Sequence, residues 1–273
     1  MTTTTGPPSA DIAEVAAGPT WLLRDSWTEA TRDLRALPRN SELLMFSAVQ
    51  PVMFVLLFFY VFGGSIDVPG YPDYVQYLLP GIFAQTVVFN SAFTGVGLAE
   101  DLSKGFVDRL RSLPMVHAAV LIGRTISDLI RNVLSFAIML AVALAVGFRL
   151  EGTLWEGLLA TLVLLSFSYA FSWIEALVGL SVRSVESANS AGVIWMFPLT
   201  FISSAFVDTA SMPSWVEPVA EANPFTKATD ATRALYNGLD PGADLWWALG
   251  WAAGITVVFS VLATRTFRSS ARR

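Results

Sequence analysis

"AEDLSKGFVDRLRSLPM", residues 99–115, decides how the rest of the chain is read. Six of its seventeen residues are charged, yet it lies between two of the most apolar stretches in the sequence. Leu98, Leu102, Phe106, Leu110 and Leu113 recur at spacings of four, four, four and three, one face of a helix. Pro114 ends the pattern, because proline cannot donate to the preceding turn and disfavours helical geometry in the residue before it. The spacing predicts a short amphipathic helix between membrane spans, with its charges free to meet something outside the bilayer.

The flanking composition explains why this helix stands out. Of 273 residues, 54% are hydrophobic and 14% charged, against roughly 25% charged in soluble domains. The surplus apolar residues are expected to face lipid. Stretches of about 20 residues with few charges are long enough to cross a hydrocarbon core of roughly 30 Å. Six are expected, near 43–62, 78–98, 120–147, 157–180, 187–207 and 245–264. The fold expected is an all-α integral membrane protein of six transmembrane helices, one domain over residues 41–268 without internal repeats. Residues 1–19 have no basic start and no apolar run, unlike a signal peptide, and read as a disordered tail. Residues 269–273 read as a second tail.

Basic residues set the orientation. Twelve of the 17 lie before the first span, in the loops after spans two and four, or in the C-terminal tail; Arg149, Lys227 and Arg233 lie on the other face. The positive-inside rule therefore places both termini, and residues 99–115, in the cytoplasm. Ahead of the first span, "TWLLRDSWTEATRDLRALPRN" (residues 20–40) places Leu23, Trp27, Ala30, Leu34 and Leu37 on one side and charges on the other. That pattern fits a helix lying in the membrane interface. On the external side, residues 208–243 form two weakly amphipathic pieces broken at "NPF" (Asn223, Pro224, Phe225), expected as short re-entrant helices or a plain loop.

Several chemistries are missing. Lys104 follows Ser103 and Lys227 follows Thr226, so neither completes a phosphate-cradling G-x-x-x-x-G-K-[ST] loop. A single histidine, His117, excludes zinc sites built on two or three imidazoles. No cysteine is available for thiol chemistry. Glu175 is the one carboxylate well inside an apolar span. It is expected to pair with Arg124 or Arg131 of span three, with a proton or substrate site as the alternative. Gln50, Gln85, Asn90 and Asn189 fall at membrane depth as interhelical glue or the lining of a path. Gly250 and Gly254 in "GWAAG" read as a helix-packing motif.

Together these parts resemble the ABC-2 family of transporter permeases, in particular its drug-resistance branch. The resemblance covers nearly all of the chain after residue 20. It rests on "ALPRN", on "EDLSKGFVDRLRSLPM" followed by "GRTISDLIRN", and on "MPSWVEPVAEANPFTKATDATRAL". Glu100, Gly105, Arg109, Leu110 and Pro114 match the family's cluster after span two, and Asn223 with Pro224 matches its external asparagine-proline. The resemblance implies a permease without ATPase activity or cofactor of its own. It implies a second copy of the chain and two copies of a separate ATPase that carries ATP and Mg. The coupling helix would offer Glu100, Asp101, Lys104, Gly105, Phe106, Arg109, Leu110, Arg111 and Pro114 to that ATPase, and the NPF region would cap the exit. The expected partners are thus the ATPase, the second copy and the bilayer, with nothing pointing to nucleic acid. A hydrophobic or amphiphilic cargo is expected, whether drug, lipid or lipid-like metabolite. A glycolipid or polysaccharide exporter, or a proton-coupled secondary transporter, is the alternative.

Overall fold

The computed structural model describes residue 31 and residues 41–62, 71, 73–104 and 117–270. The expected tail 1–19, the interfacial helix 20–40 apart from Thr31, and Gly105, Phe106, Arg109, Leu110, Arg111 and Pro114 of the coupling helix lie outside these residues. The described helices are α1 Ser41–Phe62, α2 Tyr74–Asn90, α3 Ala92–Ser103, α4 His117–Val146, α5 Leu154–Ser181, α6 Val185–Phe201, α7 Glu217–Ala222, α8 Pro224–Tyr236 and α9 Gly242–Ser270. No strand occurs among the described residues.

Four helical stretches are long and apolar enough to cross a membrane: Tyr74–Ser103, Leu121–Val146, Leu154–Ser181 and Gly242–Phe267. They contain the expected second, fourth and sixth spans and all but the end residues of the third. The first expected span falls on α1. The fifth begins on α6 but is shorter than expected, because the helix ends at Phe201 and the chain turns through 202–206. At the other extreme, α9 continues to Ser270, beyond the expected start of the C-terminal tail.

α5 is the central helix and packs against α9, α3, α8, α4, α2 and α6. Its start is fixed by a capping box, in which Thr153 Oγ1 accepts from the Glu156 backbone N–H at 3.2 Å and the Thr153 N–H donates to Glu156 Oε2 at 2.6 Å. The preceding loop is tied to the end of α8, since the N–H groups of Glu151 and Gly152 both donate to the Tyr236 carbonyl. Aromatic rings fill the space beneath. Phe83 of α2 meets Phe136, Phe148 and Tyr236 edge-on at centroid distances of 5.5, 5.5 and 5.9 Å. In lipid such van der Waals fit, rather than escape from water, holds helices together.

Small residues allow the closest crossing. A Cβ on Gly179 of α5 would overlap the Gly95 carbonyl oxygen of α3, and one on Gly95 would come within 2.7 Å of the Glu175 carbonyl oxygen. The GWAAG motif contributes nothing comparable within the chain: Gly250 and Gly254 have nothing within 4 Å of an added Cβ.

Candidate functional site

Proline shapes the first half of α2. Pro80 has no N–H for the carbonyl four residues earlier, Gln76, and that carbonyl instead accepts from Asn237 Nδ2 of the α8 C-cap at 3.3 Å. The next carbonyl, Tyr77, accepts from Arg233 Nε at 2.7 Å. Arg233 is 2% exposed. Its other nitrogens donate to the Ser204 carbonyl at 2.6 Å and to Asp230 Oδ1 at 2.5 Å, and its guanidinium lies 3.8 Å from the centre of the Tyr77 ring. Ser204 Oγ adds a 2.6 Å bond to Asp230 Oδ1. Burial holds the Asp230 carboxyl above its ordinary range, a rise that the Arg233 charge offsets only in part. One arginine thus joins α2, the turn after α6, and α8.

The NPF sequence builds the platform for that arginine. Asn223 Oδ1 accepts from the Phe225 N–H at 2.8 Å and caps α8, with Pro224 at the first helical position, where its missing N–H costs nothing. The Asn223 amide donates to the Leu199 and Ile202 carbonyls at 2.7 and 2.6 Å, which terminates α6. Phe225 is wholly buried. The broken amphipathic pieces are therefore real helices, α7 and α8, with the break at Asn223.

A cavity of about 590 Å³ opens between α1, the α2–α3 junction and α6. Its wall is mostly apolar, with Met53, Phe54, Phe89 and Phe93, but Gln85, Asn90 and Asn189 also line it. Three of the four polar residues expected along a path thus meet at one place. Gln50 lies on α1 between the lining residues Val49 and Pro51. The Gln85 and Asn90 amides bond to no described residue, which leaves donors and acceptors for whatever occupies the space.

At the end where α3 stops and α4 begins, charges form a chain. Arg124 Nη1 lies 3.4 Å from Asp101 Oδ2 and Arg124 Nε lies 3.6 Å from Asp128 Oδ2. Arg131 Nη2 lies 2.6 Å from Asp128 Oδ1, with its guanidinium 5.1 Å from the Phe93 ring centre. Glu100 and Lys104 form an exposed ion pair at 2.5 Å. Of the residues expected to meet a soluble partner that are described, Glu100 and Lys104 face outward, whereas Asp101 turns toward α4.

This chain of charges corrects the expected pairing of Glu175. Asp128 stands four residues after Arg124 and three before Arg131, so both arginines find their carboxylate on their own helix. Glu175 is 0% exposed and accepts from Trp195 Nε1 at 3.1 Å. Its second oxygen has no hydrogen-bond partner, and it lies against Gly95 and Gly192. Glu175→Gln keeps the acceptor for Trp195 and removes any buried charge. Wild-type folded yield and thermal stability are therefore expected; a drop in yield restored by also neutralising Arg124 or Arg131 would reinstate the arginine pair.

Comparison with known proteins supplies the family. The model of the ABC-2 type transporter family matches residues 25–237. The chain belongs to the ABC-2 type transporter family. This ABC-2 protein is 34% identical over 242 residues to the daunorubicin resistance ABC transporter permease protein DrrB1 of Streptomyces coeruleorubidus, covering 89% of this chain and 85% of that one. It is 24% identical to the "Probable doxorubicin resistance ABC transporter permease protein DrrC" of Mycobacterium tuberculosis, over 85% of this chain and 84% of the relative. The ABC-2 chain is accordingly a multi-pass membrane protein of a family of transport permeases rather than enzymes.

Sequence reasoning missed Arg233, which counted only as an external basic residue. Its signal was present: in "TDATRAL" an arginine follows an aspartate by three residues on a helix whose other face is small and apolar. Asp128 likewise stood within one turn of both arginines.

Proposed function

We propose that this chain is the membrane permease subunit of an ATP-binding-cassette exporter. It moves a hydrophobic or amphiphilic cargo, such as a drug, lipid or lipid-like metabolite, out of the cell. The energy comes from ATP and Mg bound by a separate ATPase subunit. The observation that carries this reading is the cavity between α1, α2–α3 and α6. Its size lies within the roughly 300–1,000 Å³ of small-molecule sites. Aromatic and aliphatic walls suit an apolar body, and the Gln85, Asn90 and Asn189 amides suit a few polar substituents.

The full reading has six spans in the cell membrane, both termini in the cytoplasm, two copies of the chain, and two ATPases. Residues 99–115 couple each ATPase to the spans: Glu100, Lys104, Arg109 and Arg111 set encounter and register, while Leu110 holds the apolar face. α7 and α8 then cap the exit as re-entrant helices.

The test uses inside-out vesicles carrying this chain and its ATPase, with a fluorescent anthracycline as cargo. Uptake is expected to require ATP. Gly105→Val, Leu110→Asp and the double reversal Arg109→Glu with Arg111→Glu should each lose ATPase copurification and cargo-stimulated hydrolysis at matched expression. Asn90→Leu should leave copurification intact and lower stimulation by cargo. Uptake that follows a proton gradient without nucleotide would overturn the proposal in favour of secondary transport.

A further inference from the structure

A second groove, of about 480 Å³, lies between α4, α5 and α9 and shares no lining residue with the cavity. Tyr169 and Trp173 of α5 line it, with Thr256, Ser260, Thr264 and Arg265 of α9. Thr256 and Ser260 donate back to carbonyls of their own helix and cost nothing when the groove is empty. The remaining polar groups behave differently. Trp173 is 3% exposed, and its indole N–H is buried without an acceptor. Such a group is rarely left unpaired, because its lost hydration has no return. Arg265 is exposed and makes no ion pair among the described residues. No carboxylate lines the groove, so its free groups comprise an indole donor, hydroxyls and a cation.

The depth of the groove identifies what can supply the complement. Arg265 lies 23 residues beyond Gly242, where α9 begins, or about 34 Å along a helix. Trp173 lies 19 residues beyond Leu154, about 28 Å along α5. Ile122, which also lines the groove, is one turn into α4. The exposed Trp246 and Trp247 mark the opposite end of α9. A hydrocarbon core is about 30 Å thick, so the groove sits at headgroup level of the leaflet opposite those tryptophans. Under the orientation proposed above, that is the cytoplasmic leaflet, where anionic lipids meet basic residues.

We infer that this groove holds an anionic phospholipid of the inner leaflet, its phosphate on Arg265 and its glycerol region against Trp173. One acyl chain follows the apolar wall formed by Ile122 and Val261. The bound lipid occupies the seam between the central helix and α9. The site is separate from the cargo cavity, which is lined from α1, α2–α3 and α6.

The test measures lipid retained by the purified full-length chain in native mass spectrometry, after titration with phosphatidylglycerol, phosphatidylcholine or inorganic phosphate. Phosphatidylglycerol is expected to be retained in preference to phosphatidylcholine. Arg265→Gln should lower that retention about fivefold, the usual worth of one basic residue at an anionic surface. Trp173→Phe keeps the ring, loses the N–H, and should lower retention in the same direction. Arg149→Gln, exposed at the other end of the bundle, should leave it unchanged. Equal retention of both lipids would overturn the inference. So would displacement of lipid by millimolar phosphate, which marks a free-anion site, or no retained lipid at all, which marks a groove filled by the chain itself. Because the readout is lipid mass without ATPase or cargo, failure here is distinguishable from failure of the exporter reading.

Discussion

Arg233→Met should be among the most damaging single substitutions in this protein, lowering stability by about 3 kcal/mol or more. Methionine fills much of the same volume but donates nothing. The Ser204 carbonyl and Asp230 lose their guanidinium partner, and Tyr77 loses both a hydrogen bond to its carbonyl and a cation over its ring. Lysine should recover part of the loss at most, since a single ammonium cannot reach carbonyls on two segments and a carboxylate with the geometry of a planar fork. Heating in detergent, followed by the fraction of monodisperse protein, measures the effect. The double variant Arg233→Met with Asp230→Asn separates its causes. If the stranded carboxylate dominated, the double variant would approach wild type; we expect it to recover about 1 kcal/mol, with the carbonyls accounting for the rest. A loss under about 0.5 kcal/mol for Arg233→Met would mean that α8 is held by its apolar contacts alone.

The contrast between this arginine and Glu175 shows what the sequence made legible. Long apolar runs, the break at Asn223 and the depth of single polar residues in those runs were readable because each depends on local spacing; that Gln85, Asn90 and Asn189 meet at one cavity was not, because it depends on how separate helices pack. Termination of α6 at Phe201 was not. It depends on Asn223, more than twenty residues later, taking the Leu199 and Ile202 carbonyls. Glu175 was assigned an arginine because a buried charge needs a partner and two arginines stood nearby in the expected bundle. The nearer claim of Asp128, one turn away on the same helix, was the stronger argument. Orientation of a side chain around a helix decides such cases, and it follows from packing rather than composition. Asp101 makes the same point, since the charge pattern of residues 99–115 offered it to a soluble partner and the fold turns it toward Arg124.

Glycine gives a sharper case, because the recognisable motif and the working contact lie in different helices. Gly250 and Gly254 carry the four-residue spacing, yet an added Cβ meets nothing there; Gly179 carries no such spacing and lies against the Gly95 backbone. Intrinsic propensity makes Gly→Ala in a helix interior favourable by about 1 kcal/mol. Gly250→Ala should therefore be neutral or stabilising by up to about that amount. Gly179→Ala should have the opposite sign. Its Cβ would overlap the Gly95 carbonyl oxygen and come within 2.9 Å of the Gly95 Cα, and backbone cannot swing aside as the end of a side chain can. α3 and α5 must separate, which opens their packing, and overpacking of this kind costs roughly 1–3 kcal/mol beyond the propensity gain it cancels. Gly179→Val should be worse, by adding a branched side chain to the same contact. The displaced helix is α3, whose end leads into residues 105–116, so any Gly179→Ala protein that does fold should also show reduced cargo-stimulated ATP hydrolysis. Thermal stability of Gly179→Ala and Gly250→Ala, measured side by side in the same lipid mixture, decides the matter. Equal stabilisation of both would show that the α3–α5 crossing can relax, and the close approach at Gly95 would lose its role in holding α3 in place.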